Sequence, residues 1–219
     1  MVGTVPPVTT VPSPRRPPDP DDRRRHWYEN ELGWRTVPGE PLRLVTGLRF
    51  DVLDVPVEAG VAALWRLGPD SPVAVRGDRM RLLVAAGSAE ELPGLLDWLE
   101  WGALAPALDL VALGEGGHME APPVPGAGTV EVPPLSGARP AKGHPGPSIP
   151  AGRPGPVQGA AVWLRPPEPG REVEASLPTL SAVGGVGDAP DLVRLVDTVA
   201  TQCHRVRLRR SCAQPLAFS

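Results

Sequence analysis

Thr46-Gly47-Leu48-Arg49-Phe50-Asp51-Val52-Leu53-Asp54-Val55-Pro56 is the stretch that decides the fold. It reads as a buried β-strand over 49–55 that carries Asp54 out at its C-terminal end. In α/β proteins that end is where metal and phosphate chemistry is placed. A two-metal site also asks for a second acid two residues on, on the same face of the strand. Pro56 stands there instead. Asp51, three residues before Asp54, faces the other side and reads as structural or solvent-facing.

Outward from this strand the chain alternates helix and strand signals. Before it, 23–32 is an expected short helix with Trp27, Tyr28 and Leu32 near one face and Gly33 as its stop. A first strand is expected over 34–37, with Pro38-Gly39 as a turn. After it comes a helix over 58–67, with Val61, Leu64, Trp65 and Leu67 as its apolar face. Two strands, 73–76 and 81–85, follow, joined by Gly77-Asp78-Arg79-Met80. Ser88 with Glu91 has the capping-box spacing, and Leu92, Leu95, Leu96 and Leu99 continue at helical spacing. Further strands are expected over 107–112 and 118–121, separated by the turn Gly114-Glu115-Gly116-Gly117. Residues 159–164 supply one more. From 188 to about 209, Leu192, Leu195, Val196, Val199, Cys203 and Val206 line one side of an amphipathic helix, whose last turns carry Arg205, Arg207, Arg209 and Arg210.

Composition divides the chain. The 219 residues include 31 Pro and 25 Gly, a share at which low-complexity tracts are expected beside a folded core. Residues 1–22 read as a disordered tail, and 122–158 as a disordered insertion. In 122–156, 18 of 35 residues are Pro or Gly. The expected core is then 23–121 with 159–180, followed by the C-terminal helix. Residues 26–121 hold 7 Arg against 15 Asp and Glu, a net charge of −8, within a chain of net charge −3. Phosphate neutralisation supplies most non-specific nucleic-acid affinity, so this core is a poor non-specific binder of DNA. Cys203 and Cys212 lack metal-site or CxxC spacing and read as a reduced pair. No apolar run approaches a membrane span, and a cytoplasmic location is the expectation.

The order of elements resembles the N-terminal domain of bifunctional DNA primase/polymerases, the Prim-Pol group of archaeo-eukaryotic-type primases. Trp27-Tyr28 … Gly33-Trp34-Arg35-Thr36-Val37-Pro38-Gly39 is similar to that family's opening helix and first strand. Phe50 to Val55 looks like its strand bearing an acid-x-acid pair. Gly77-Asp78-Arg79-Met80-Arg81-Leu82-Leu83-Val84 looks like its second motif, a Gly-rich turn that runs into a strand. Ala107-Leu108-Asp109-Leu110 … Gly114 to Pro123 is similar to its third, and Val162-Trp163-Leu164 to the strand beyond. The likeness covers about 27–123 and 159–166.

That resemblance implies two acids of the first motif and one of the third on divalent metal, and a His of the second motif on the incoming nucleotide. By position Asp54 and Asp109 match two of the acids, as candidate ligands for Mg²⁺ or Mn²⁺. Pro56 replaces the other acid and Met80 the His; neither supplies an oxygen or nitrogen ligand on its side chain. Arg79 beside Gly77 is the candidate phosphate contact, with a solvated turn arginine as the plain alternative. His118 reads as a surface residue. Trp98 and Trp101 read as core and helix edge.

The fold class expected is α/β (α+β), a small mixed sheet with helices mainly on one face, closed by the C-terminal helix. The leading functional expectation is a catalytically degenerate Prim-Pol-like domain acting as a nucleotide-binding, regulatory or interaction module. Two others stay open: an active metal-dependent primase/polymerase with DNA and nucleotide as partners, and an adaptor that binds proteins through its Pro-rich tracts or C-terminal helix.

Overall fold

The computed structural model describes residues 20–125, 159–180 and 190–212. Most of the expected N-terminal tail and nearly all of the Pro/Gly-rich insertion lie outside the described residues. In chain order the elements are α1 (Pro20–His26), continued by a π-helical segment (Trp27–Glu31), β1 (Thr36–Val37), β2 (Arg43–Val45), β3 (Phe50–Pro56) and α2 (Val57–Ala63). Then come β4 (Val73–Arg76), β5 (Arg79–Ala85), α3 (Ser88–Trp98), β6 (Val111–Leu113), β7 (His118–Glu120), β8 (Val162–Arg165) and α4 (Leu192–Cys212).

The fold is α+β, and the expected mixed sheet is instead two antiparallel ones. The larger has five strands in the order β6-β3-β5-β4-β8; the smaller has three, β1-β2-β7. The turn explains part of this. Only Gly77 and Asp78 link β4 to β5, so Arg76 pairs directly with Arg79. Gly77, at φ +58°, takes the left-handed backbone that such a tight reversal needs. Arg79 and Met80, expected in the turn, are therefore the first residues of β5. A two-residue hairpin can join only antiparallel neighbours.

Strand β3 is an interior strand, flanked by β6 and β5 and covered on both sides, and Asp54 is its one residue that is not buried. Leu53 and Val55 join Met80, Leu82 and Val84 of β5 under α2, α3 and α4. Phe50 and Val52 face the other way, into a cluster with Trp27, Tyr28, Trp34, Leu44 and Met119 that fills the space toward the small sheet. Trp34 stands 4.5 Å from Phe50 and 6.4 Å from Trp163, ring centre to ring centre. The Tyr28 hydroxyl donates to the Pro122 carbonyl (2.8 Å) and accepts from Trp163 Nε1 (2.9 Å), tying the exit of β7 to β8.

Helix α4 packs with the face expected for it, burying Leu192, Leu195, Val196, Val199, Cys203 and Val206. Its N-terminus is capped by Asp191, whose Oδ1 accepts from the N–H of Val193 at 2.8 Å.

Three local expectations change. No Ser88 capping box forms: Gly87, at φ +91°, precedes the helix without a side-chain cap. The cap comes from a distant residue, since Asp51 Oδ2 accepts the Ala89 N–H at 2.9 Å. Asp51 is thus fully buried, on the face of β3 opposite Asp54, and burial raises its pKa above the carboxylate norm despite the bond from Ala89. Second, 107–112 is not one strand. A 3₁₀ segment (Gly102–Ala107) with Pro106 inside it leads to buried Leu108, and Asp109 turns at φ +53° before β6 begins. Third, two tryptophans are surface residues: Trp98 is 71% exposed, and Trp65, expected on an apolar helix face, is 66% exposed because α2 stops at Ala63 and a 3₁₀ turn over Leu64–Arg66 follows.

Candidate functional site

Strand register builds an acid–arginine cluster where β3 ends and β5 begins. Asp54 lies directly opposite Arg81, and Pro56 opposite Arg79. Residues facing each other across an antiparallel pair share a face, and so do residues two apart. Asp54, Arg79 and Arg81 therefore project from one side. Met80, between the arginines, points to the other side, fully buried in the core beneath the helices.

Arg79 binds both candidate metal ligands at once. Its Nε donates to Asp54 Oδ1 at 2.5 Å and its Nη1 to Asp109 Oδ1 at 2.7 Å. Its Nη2 donates to the Asp54 carbonyl at 2.7 Å and to the Asp109 carbonyl at 3.2 Å. The second oxygen of Asp54 accepts from Arg81 Nε at 3.0 Å. The second oxygen of Asp109 lies 3.7 Å from Arg210 Nη1, and Arg210 also reaches Glu58 at 3.4 Å. Burial, the largest single influence on Arg79, favours its neutral form. The hydrogen bonds and charges of Asp54 and Asp109 outweigh it, and the pKa is raised. Arg79 stays a cation.

The left-handed backbone at Asp109 makes this geometry reachable. A non-glycine residue there carries a strain of about 1 kcal/mol or more. In return the residue presents both its carbonyl and its carboxylate to Arg79.

The residues present do not fit a divalent cation in this arrangement. All four side-chain oxygens of Asp54 and Asp109 face guanidinium groups, whereas Mg²⁺ needs a near-octahedral shell of oxygens. Among the described residues no three His, Cys, Asp or Glu side chains come together as a metal site.

The three residues singled out in the sequence, Asp54, Arg79 and Asp109, thus meet in one cluster. His118 does not join them: it is exposed and lies on β7 of the small sheet, opposite Val45. Sequence reading missed Arg81, although its place two residues after Arg79 would have put it on the same face once the turn was shortened to Gly77-Asp78. It also missed Glu58 and the approach of Arg210, a contact across 152 positions between Arg210 and Glu58 that no local pattern encodes.

Beside the cluster is a cavity of about 400 Å³ with Pro56, Ala107, Cys203 and Val206 among its lining, and Asp109, Arg207 and Arg210 also on its wall. Burial, assisted by the charge of Asp109, pushes the Cys203 thiol up to about 12, so it remains a neutral thiol at ordinary pH.

In comparisons with known proteins, no protein-family model, no curated protein and no solved structure matches the chain.

Proposed function

We propose that this chain is a degenerate Prim-Pol-like domain that performs no nucleotidyl transfer and serves as a nucleotide-binding, regulatory or interaction module, in the cytoplasm. The observation that carries this reading is the Arg79 guanidinium held between Asp54 and Asp109. In a two-metal mechanism those carboxylates would hold cations that stabilise the attacking and leaving oxygens. Here a fixed internal cation neutralises them. It can orient an anionic group but cannot supply the open coordination positions that the mechanism requires. Pro56 removes a further ligand at the same strand end. No helix of the described residues is long and apolar enough to cross a membrane.

Calorimetric titration of Mn²⁺ into wild type, Arg79→Gln, and Arg79→Gln combined with Asp54→Asn tests the reading. Wild type is expected to give no saturable Mn²⁺ binding. Removing the guanidinium should create weak binding, and the double variant should lose it again. Template-dependent incorporation of dNTP by the pure wild-type protein would overturn the reading in favour of an active primase/polymerase.

A further inference from the structure

The cavity beside the acid–arginine cluster has features that the Arg79 bridge does not use. Its floor is apolar, from Pro56 at the end of β3 and Val206 of α4. Its guanidinium and hydroxyl groups converge from one helix: Arg207, Arg210 and Ser211 are spaced i, i+3 and i+4, which puts them on one side of α4, while Asp109 adds a carboxylate from the link before β6. A concave site of this size with a few convergent polar groups is what small ligands occupy.

The charges at the rim are incompletely balanced. Arg207 donates to the neutral Ala107 carbonyl at 3.3 Å and makes no ion pair among the described residues. Arg210 divides its charge between Glu58 at 3.4 Å and Asp109 at 3.7 Å, both longer than a good charge-assisted bond. Asp109 is in turn already engaged by Arg79 at 2.7 Å. Two like charges at i, i+3 repel when nothing lies between them. A tetrahedral oxyanion would relieve that repulsion, since planar guanidinium forks match its oxygens and the Ser211 hydroxyl can donate a further bond.

We propose that the cavity between the last turns of α4 and the Ala107–Asp109 link is a binding site for a phosphate-bearing small molecule, clasped by Arg207 and Arg210. Ser211 adds a hydrogen bond, and the apolar floor takes the uncharged body of the ligand. No metal takes part. The site is set apart from the Arg79–Asp54 pair, neither of which lines the cavity, and shares Asp109 and the strand end at Pro56 with the cluster behind the Prim-Pol-like reading.

The experiment is titration of the whole chain with inorganic phosphate and then pyrophosphate, at fixed ionic strength set with chloride, following Arg Nε–H signals by NMR. Acetate serves as the carboxylate arm. Saturable binding of phosphate, with Arg207 and Arg210 signals shifting first, is the expected result. Arg207→Gln and Arg210→Gln should each weaken it about tenfold or more, as loss of a charge-assisted bond does. Arg205→Gln removes the same charge from an exposed position on α4 that does not line the cavity, and should leave affinity within about twofold, the effect of screened long-range charge. The proposal is overturned if phosphate gives no saturation, if acetate binds as well, or if Arg205→Gln weakens binding as much as Arg207→Gln. A negative result here with the Arg79→Gln metal experiment intact would remove the cavity site and leave the proposed function standing. The reverse pattern would do the opposite.

Discussion

Residue 60 shows how a single absent side chain shapes this core. A Cβ at Gly60 would stand 2.4 Å from the Met80 sulfur and 2.8 Å from the Met80 Cβ. The sulfur can swing away, but the Cβ is fixed by β5. Gly60→Ala should therefore destabilise by about 1–3 kcal/mol from overpacking, against a helix-propensity gain of about 1 kcal/mol at most. Urea denaturation measures it, and a net gain in stability would show that the Gly60–Met80 contact is loose. Asp51 makes a different prediction at the same scale. Its Oδ1 is buried without a well-aligned hydrogen bond, and burial holds its pKa above the ordinary carboxylate value against the backbone N–H groups of Ala89, Gly87 and Gly47. The raised pKa means that the folded state binds the proton more tightly than the unfolded chain. The contribution of Asp51 to stability is thus present at pH below the unfolded carboxylate value and is lost as pH rises through the folded one. Wild type should accordingly lose stability relative to Asp51→Asn as pH is raised from about 3 toward neutrality. A difference that stays flat with pH, or changes in the opposite sense, would show that the bond from Ala89 outweighs burial.

Helix α3 carries two glycines that ask for opposite substitutions. Gly87, just before the helix, has φ +91°, while Gly94 in the middle has ordinary helical backbone; neither Cβ would meet an atom within 4 Å. Space is equal, so backbone conformation alone sets the sign. Gly87→Ala should cost about 1–2 kcal/mol, because an L-residue is strained in the left-handed region. Gly94→Ala should gain about 0.5–1 kcal/mol by lowering the entropy of the unfolded chain. Thermal melts of the two variants should move in opposite directions. The apolar pattern of α3 was legible from Leu92, Leu95 and Leu96, all buried. Its cap was not, because the capping carboxylate comes from a strand 38 positions earlier. The link to β6 failed for a related reason: an apolar run containing Pro106 looks like a short strand, and only packing on Leu108 fixes it as a 3₁₀ turn.

At the scale of the whole molecule, the described residues on either side of 126–158 are tied together. Pro122 and Trp163 meet on one hydroxyl, that of Tyr28, and the Ala161 N–H reaches Glu120 at 3.2 Å. The two ends of that stretch are therefore held near each other by the folded core. Replacing 126–158 with a short Gly/Ser linker should leave unfolding cooperative and raise stability by about 1 kcal/mol, because a shorter loop costs less to close. Loss of folding in that variant would mean that the deleted residues contribute contacts to the core. If the replacement keeps the fold and abolishes partner binding in cells, the adaptor reading gains over the nucleotide-binding one.

By itself the sequence determined the local patterns: the apolar run at 50–56, the buried stripe of α4, and the opposite facing of Asp51 and Asp54. These follow from periods of 2 and 3.6 residues, which short windows contain. It also singled out Asp54, Arg79 and Asp109 as candidates. Tertiary structure alone decided that they bind one another. That outcome depends on the two-residue turn, which sets the register of β5, on the left-handed backbone of Asp109, and on helix α4 bringing Arg210 alongside. Pairing of charges distant in sequence is fixed by register and packing, because Coulomb attraction acts through space and no periodicity along the chain records it.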